Sequence, residues 1–145
     1  MQNEHFYDVT VEWKSDRKGT LSSEVLPAII EVATPPEFPK GMEGIWSPEH
    51  YFIAAVNSCL MTTFLSIAEN SRLEFETFSS KAVGKLEIVD GKYMISEITL
   101  HPIVTIKDET MIEKATRVLV KSEANCLISN SVKSKIIFNP EIKTI

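Results

Sequence analysis

Two cysteines are the residues of this sequence best suited to chemistry. Cys59 closes the run Tyr51-Phe52-Ile53-Ala54-Ala55-Val56-Asn57-Ser58-Cys59, and Cys126 opens Cys126-Leu127-Ile128-Ser129-Asn130, each in an apolar segment of helical character. They stand 67 residues apart, a spacing that fits neither a metal knuckle nor a Cys-x-x-Cys redox loop. If folding joins them they form one dithiol, and a dithiol in a reducing compartment is more often catalytic or sensing than structural. A cysteine taken alone is usually a small buried hydrophobe. Reactivity requires a thiolate, and Cys59 lies about three turns into its helix, beyond the reach of the helix dipole, so a cation is required beside it.

The elements that must position these thiols follow from the pattern of the chain. Phe6 to Trp13 alternates with the period of a half-buried strand, Lys14 to Gly19 is a polar turn, and Thr20 to Leu26 returns as a second strand. Ile29 to Ala33 is a possible third. Thr34 to Trp46 carries Pro35, Pro36, Pro39, Gly41 and Gly44 and must run as an irregular loop, of the kind that often covers a pocket. Ser47-Pro48-Glu49 then starts a helix with a capping hydroxyl, a proline at the first position and an acid in the first turn. That helix runs to about Asn70, and apolar residues surround it so fully that it is expected to be buried on most sides. Glu74 to Val89 and Lys92 to Thr105 form a hairpin through Asp90-Gly91. A second helix from Asp108 sets Met111, Ile112, Ala115, Val118 and Leu119 on one face, with Cys126 continuing that stripe if the helix persists. Ser134 to Asn139 is a last short strand. The order predicts an α+β fold with antiparallel sheet around a buried central helix, in a single domain over residues 1–145.

A net charge of -5 speaks against nucleic acid or an anionic membrane surface as partner, since either calls for clustered Lys and Arg. The apolar stretch from Tyr51 to Ala68 is broken by Asn57, Ser58, Thr62, Thr63 and Ser66, which favours a core helix over a membrane span. The polar, acidic start Met1-Gln2-Asn3-Glu4-His5 lacks the basic and apolar pattern of a signal peptide, so a cytoplasmic location is expected. His5, His50 and His101 have no ligand spacing with each other or with the cysteines, so no metal and no cofactor is expected.

Two charged residues gain meaning only in company. Glu49 alone is a helix-start acid, and Arg17, in Ser15-Asp16-Arg17-Lys18-Gly19, is a solvated turn charge. Ten residues separate Glu49 from Cys59, or ~15 Å along one continuous helix, so one subunit cannot join them directly. Two antiparallel copies could, which predicts an obligate homodimer with shared sites.

Together the segments Ser47-Pro48-Glu49-His50 through Asn57-Ser58-Cys59 and Cys126-Leu127-Ile128-Ser129-Asn130-Ser131, behind an N-terminal hairpin whose turn carries Arg17, resemble the OsmC/Ohr family of thiol-dependent peroxidases. The resemblance covers nearly the whole chain. It implies an intertwined homodimer in which Cys59 is the peroxidatic thiolate, Cys126 the resolving thiol, Arg17 the cation that stabilises the thiolate, and Glu49 the acid that holds Arg17. It further implies an organic hydroperoxide as substrate, a dithiol reductant such as a lipoyl group, and an apolar pocket lined by some of Met42, Trp46, Phe52, Met61 and Phe64. The organic-hydroperoxide branch typically has proline directly after the second cysteine, where this chain has Leu127, and Val56-Asn57-Ser58-Cys59-Leu60-Met61 is more similar to the broader OsmC-like group. The alternative function is a non-catalytic dimeric module that senses redox state or binds an apolar ligand.

Overall fold

A computed structural model describes residues 3–145, which fall into two compact units, one running to Tyr51 and the other from Phe52 to Ile145. In the first unit, β1 (Thr10–Ser15), β2 (Lys18–Ser23) and β3 (Leu26–Ala33) make an antiparallel sheet in that order. Asp16 closes the β1–β2 turn with a φ of 49°, a left-handed conformation that aspartate tolerates. The first strand begins at Thr10 rather than Phe6, because β2 ends at Ser23 and offers no edge to residues 6–9. The third is longer than predicted and starts at Leu26, directly after the tight turn at Glu24-Val25. Both faces of β1 are exposed, so the alternation read as half burial meets no covering layer within the first unit.

Residues 34–46 form the irregular loop that their prolines and glycines predict, tied by Ala33 N–H donating to Trp46 O at 3.0 Å and Met42 N–H to Thr34 O at 2.9 Å. Gly41 is required there, since a Cβ would collide with the Pro35 backbone.

Helix α1 (Pro48–Asn70) starts as its sequence predicts: the Ser47 hydroxyl accepts the His50 N–H at 3.1 Å. Its burial differs from expectation. Val56, Cys59, Leu60, Phe64 and Ala68 form one buried stripe, while Phe52, Met61 and Leu65 remain 37%, 39% and 43% exposed. One sheet and one further helix cover only one side of it.

In the second unit β4 (Thr77–Val89) and β5 (Lys92–Ile106) form the long hairpin, turned through Asp90 and Gly91 at φ 50° and 79°. Both residues are left-handed, as a two-residue turn matched to strand twist demands. Asp108 caps a 3-10 turn at Glu109–Met111, accepting the Thr110 N–H at 2.9 Å, and α2 (Ile112–Ala124) follows. This helix ends two residues before Cys126, so that cysteine does not extend its stripe as the spacing suggested. The chain finishes with β6 (Lys135–Phe138) and β7 (Glu141–Thr144), both parallel to β5. The sequence predicted antiparallel pairing and one last strand. Pro140, which has no N–H to donate, splits the final segment in two along the same edge.

Every second residue of β5 from Ile98 to Ile106 points inward, the period of a strand with one packed face. Phe64, Ala68, Val104, Ile106, Ala115, Val118 and Leu119 make one cluster of α1, β5 and α2. Val56, Leu60, Ile98 and Leu100 make a second, nearer the cysteines, with Ile128 packed against it.

Candidate functional site

Cys59 belongs to the buried stripe of α1 because it falls three residues after Val56 and five before Phe64, on the face turned to the core. It keeps 9% exposure, and Cys126 keeps none. The path to Cys126 is set by the end of α2, where Cys126 N–H donates to Glu123 O at 3.2 Å and the chain then turns back. Asn130 N–H closes that turn on Cys126 O at 3.0 Å. The Cys126 thiol points at Val56 O, 3.9 Å away and one helical turn before Cys59. Folding has therefore brought the two cysteines together as a buried dithiol.

The electrostatics distinguish the two sulfurs. Burial pushes the Cys59 thiol up, but hydrogen bonds from the Ile128 N–H, the Cys126 thiol, the Thr63 hydroxyl and the Leu127 N–H outweigh it and hold its pKa below the ordinary thiol value. Thr63 Oγ1 stands 3.9 Å from the sulfur. Cys126 moves the other way. Burial raises it and the neighbouring Cys59 raises it further, against the lowering contribution of the Ser129 hydroxyl and N–H. The Ser129 hydroxyl is buried and has no partner within hydrogen-bonding distance, so its help is weak. The two shifts run in opposite directions, which makes Cys59 the more acidic thiol of the pair.

Arg17 and Glu49 lie in the first unit. Arg17 sits in the β1–β2 turn, is exposed, and accepts the Thr34 N–H on its backbone oxygen at 3.3 Å. It lines an open hollow of about 520 Å³ with Val11, Trp13, Val32, Thr34 and Pro48, the residue before Glu49. Among the described residues, no ion pair joins Arg17 to Glu49 within one chain. Of the expected pocket residues, Phe64 is a fully buried core side chain and lines nothing. Trp46 packs on Tyr51 with ring centres 5.5 Å apart. Phe52 borders an open hollow of about 610 Å³ whose lining mixes Tyr93, Met94 and Ile95 with Asp90, Lys92 and Lys133. No group of three His, Cys, Asp or Glu that could hold a metal ion is present among the described residues.

The groups not foreseen are Thr63 and the two main-chain donors. Thr63 was within reach of sequence reasoning, since four residues along a helix share a face. The N–H groups were not, because a helix persisting through Cys126 would have spent them on carbonyls.

Residues 41–141 match the family of OsmC-like proteins. The chain is 26% identical over 141 residues to the uncharacterized protein YmaD of Bacillus subtilis, a match covering 94% of this chain and 91% of that protein. The solved structure of an OsmC-like protein of unknown function from Vibrio cholerae superposes with a TM-score of 0.84 at 25% identity, over 94% of this chain and 99% of the other. An organic hydroperoxide resistance protein from Elizabethkingia anophelis has the same fold, with a TM-score of 0.78 at 19% identity over the whole of both chains. With a family match over most of its length, a two-cysteine centre and this fold, the chain belongs to the OsmC-like family.

Proposed function

We propose that the protein is a thiol-dependent peroxidase that reduces organic hydroperoxides. The Cys59 thiolate attacks the distal peroxide oxygen; the S–O bond forms as the O–O bond breaks, and the alkoxide takes up a proton and leaves as the alcohol. Cys126 then attacks the sulfenic sulfur, hydroxide leaves and is protonated to water, and a Cys59–Cys126 disulfide remains. An external dithiol, such as a lipoyl group, returns both thiols and is itself oxidised. The observation that carries this reading is the burial of both cysteines in one place, with the Cys126 thiol 3.9 Å from Val56 O, one turn before Cys59 on α1; the downward shift at Cys59 and the upward shift at Cys126 agree with it. Resistance to organic hydroperoxides in the Elizabethkingia relative agrees with it.

Treatment of the reduced protein with one equivalent of an alkyl hydroperoxide is expected to yield an intramolecular Cys59–Cys126 disulfide, read by peptide mass spectrometry without reductant. Two thiols still free after the peroxide has been consumed, or a bridge formed only between chains, would remove Cys126 from the resolving role. The near-enclosure of Cys59 supports a second reading, a dimeric module whose dithiol serves as a slow redox switch. Repeated turnover with excess dithiol separates the two, since a switch stops after one oxidation.

The working unit in this proposal is a homodimer. The uncovered apolar face of α1 at Phe52, Met61 and Leu65 supports it, as do Val11, Trp13 and Ile29 on the bare sheet. Arg17 and Glu49 then serve Cys59 at the subunit interface. Chains carrying Cys59→Ser and chains carrying Arg17→Ala, each inactive alone, are expected to recover one working site per heterodimer when refolded together. Verified heterodimers without activity would mean that each site is built within one chain.

A further inference from the structure

The middle of α1 faces the end of α2 across an open hollow of about 420 Å³ lined by Thr62, Thr63, Ser66, Ile67, Lys121 and Asn125. On α1, Thr62 with Ser66 and Thr63 with Ile67 are spaced four apart, as neighbours on a helix face are. Lys121 in the last turn of α2 and Asn125 at its cap repeat that spacing on the other wall. The hydroxyls that interrupt the apolar run of α1 therefore gather here. The hollow adjoins the dithiol through Thr63, whose Oγ1 stands 3.9 Å from Cys59 Sγ, and Asn125 is the residue before Cys126. Of the lining residues only Ile67 lacks a hydrogen-bonding side chain, and none carries an acid. Thr62 spends its hydroxyl proton on Cys59 O at 3.1 Å, and Asn125 one amide proton on Lys121 O at 2.8 Å. The Ser66 hydroxyl, the other Asn125 amide proton and the Lys121 ammonium are left to meet a ligand. An exposed lysine at the end of a helix is ordinarily a solvated charge that offsets the helix dipole. This one stands at the rim of a donor-lined hollow and takes part in no ion pair among the described residues.

We propose that this hollow receives the carboxylate of the small molecule that reacts at Cys59, and that Lys121 is the residue that selects for it. Which molecule reacts there rests on the peroxidase reading; the preference for an anion does not. Two participants in that reaction can carry a carboxylate, the hydroperoxide and the dithiol that follows it. Thr63 belongs both to the wall of the hollow and to the surroundings of the sulfur, so a ligand filling the hollow lies one side chain from the reacting atom. An uncharged ligand of the same shape gains nothing from the ammonium. The discrimination is therefore electrostatic, and salt screens it.

The test uses the full chain with Cys126→Ser, which leaves Cys59 as the single thiol. Its alkylation rates with iodoacetate, which is anionic, and iodoacetamide, which is neutral, are measured at neutral pH and low salt. Their ratio is the readout, because both reagents meet the same sulfur and any change in its ionisation cancels. Adding Lys121→Ala should lower the iodoacetate-to-iodoacetamide ratio roughly threefold, in the range of one exposed charge pair. Lys121→Glu should lower it further, Lys121→Arg should keep it, and added salt should bring the Lys121 protein toward the Lys121→Ala value. Lys121 is exposed, so none of these changes touches the core. Lys92→Ala removes the same charge at the β4–β5 turn and should leave the ratio unchanged. A ratio indifferent to Lys121→Ala, or lowered as much by Lys92→Ala, overturns the proposal. Two further arms use turnover by the protein with both cysteines. Lys121→Ala should raise KM with little change in kcat for a carboxylate-bearing hydroperoxide against its amide, or for a carboxylate-bearing dithiol against its amide, and the arm that responds identifies which molecule docks there. A rise in neither arm overturns the assignment to a reactant. The alkylation readout uses no peroxide, so a failed peroxidase assay leaves the anion preference standing and a failed anion preference leaves the peroxidase reading standing.

Discussion

Replacing Cys59 with serine is expected to reduce peroxide consumption to the uncatalysed background, whereas Cys126→Ser should release about one alcohol per chain and then stop. A serine hydroxyl at position 59 is a far weaker acid than the thiol it replaces, whose pKa burial raises but hydrogen bonds, Thr63 among them, hold below the ordinary thiol value. Without Cys126 the first displacement still occurs, but the sulfenic acid finds no second thiol and either waits for an external one or oxidises further. A rapid-quench burst in each variant, with mass analysis of Cys59, checks both halves. Equal loss of the burst in the two would deny the division of labour, and the reverse pattern would exchange the roles. The Cys126→Ser burst should also be somewhat slower than in the native protein, since the Cys126 thiol is one of the groups that lower the Cys59 pKa.

Much of this arrangement was legible in the order of residues. Ser47-Pro48-Glu49 announced α1 because a hydroxyl cap, a fixed proline φ and a first-turn acid are local devices that act whatever surrounds them. Asp90-Gly91 announced the hairpin for the same reason. What escaped depended on partners distant in sequence. Whether the apolar circumference of α1 is covered is decided by how many layers the chain can supply, and one chain leaves Phe52, Met61 and Leu65 bare. The parallel strands β6 and β7 are four residues each and take their direction from β5, not from any pattern of their own.

Phe64→Ala should be the most damaging single truncation in the second unit. The ring is fully buried and meets Phe75 edge-on and Phe78 at a tilt, with centres 5.0 and 4.9 Å apart. Its removal opens a cavity bounded by α1, β5 and α2, whose framework cannot close over it, and the expected cost is ~3–5 kcal/mol. Thermal unfolding should fall by roughly 10 °C. The neighbouring Leu65→Ala is the control. Leu65 is 43% exposed, so its truncation should cost the isolated chain far less and act instead on subunit association. A melting temperature within about 2 °C of the native value for Phe64→Ala would mean that the cluster repacks freely, contrary to the usual rigidity of close-packed interiors.

The edge completed by β6 and β7 governs the order in which the polypeptide can mature. The β4–β5 hairpin needs only neighbouring residues and can close early through its two-residue turn. The other side of β5 from Glu97 to Ile106 stays unpaired until residues 135–144 have emerged and docked alongside it. During synthesis the nascent chain therefore carries a bare strand rim, apolar on one face, while α2 and Cys126 are still being made. A chain cut before Lys135 would therefore leave that rim open along β5.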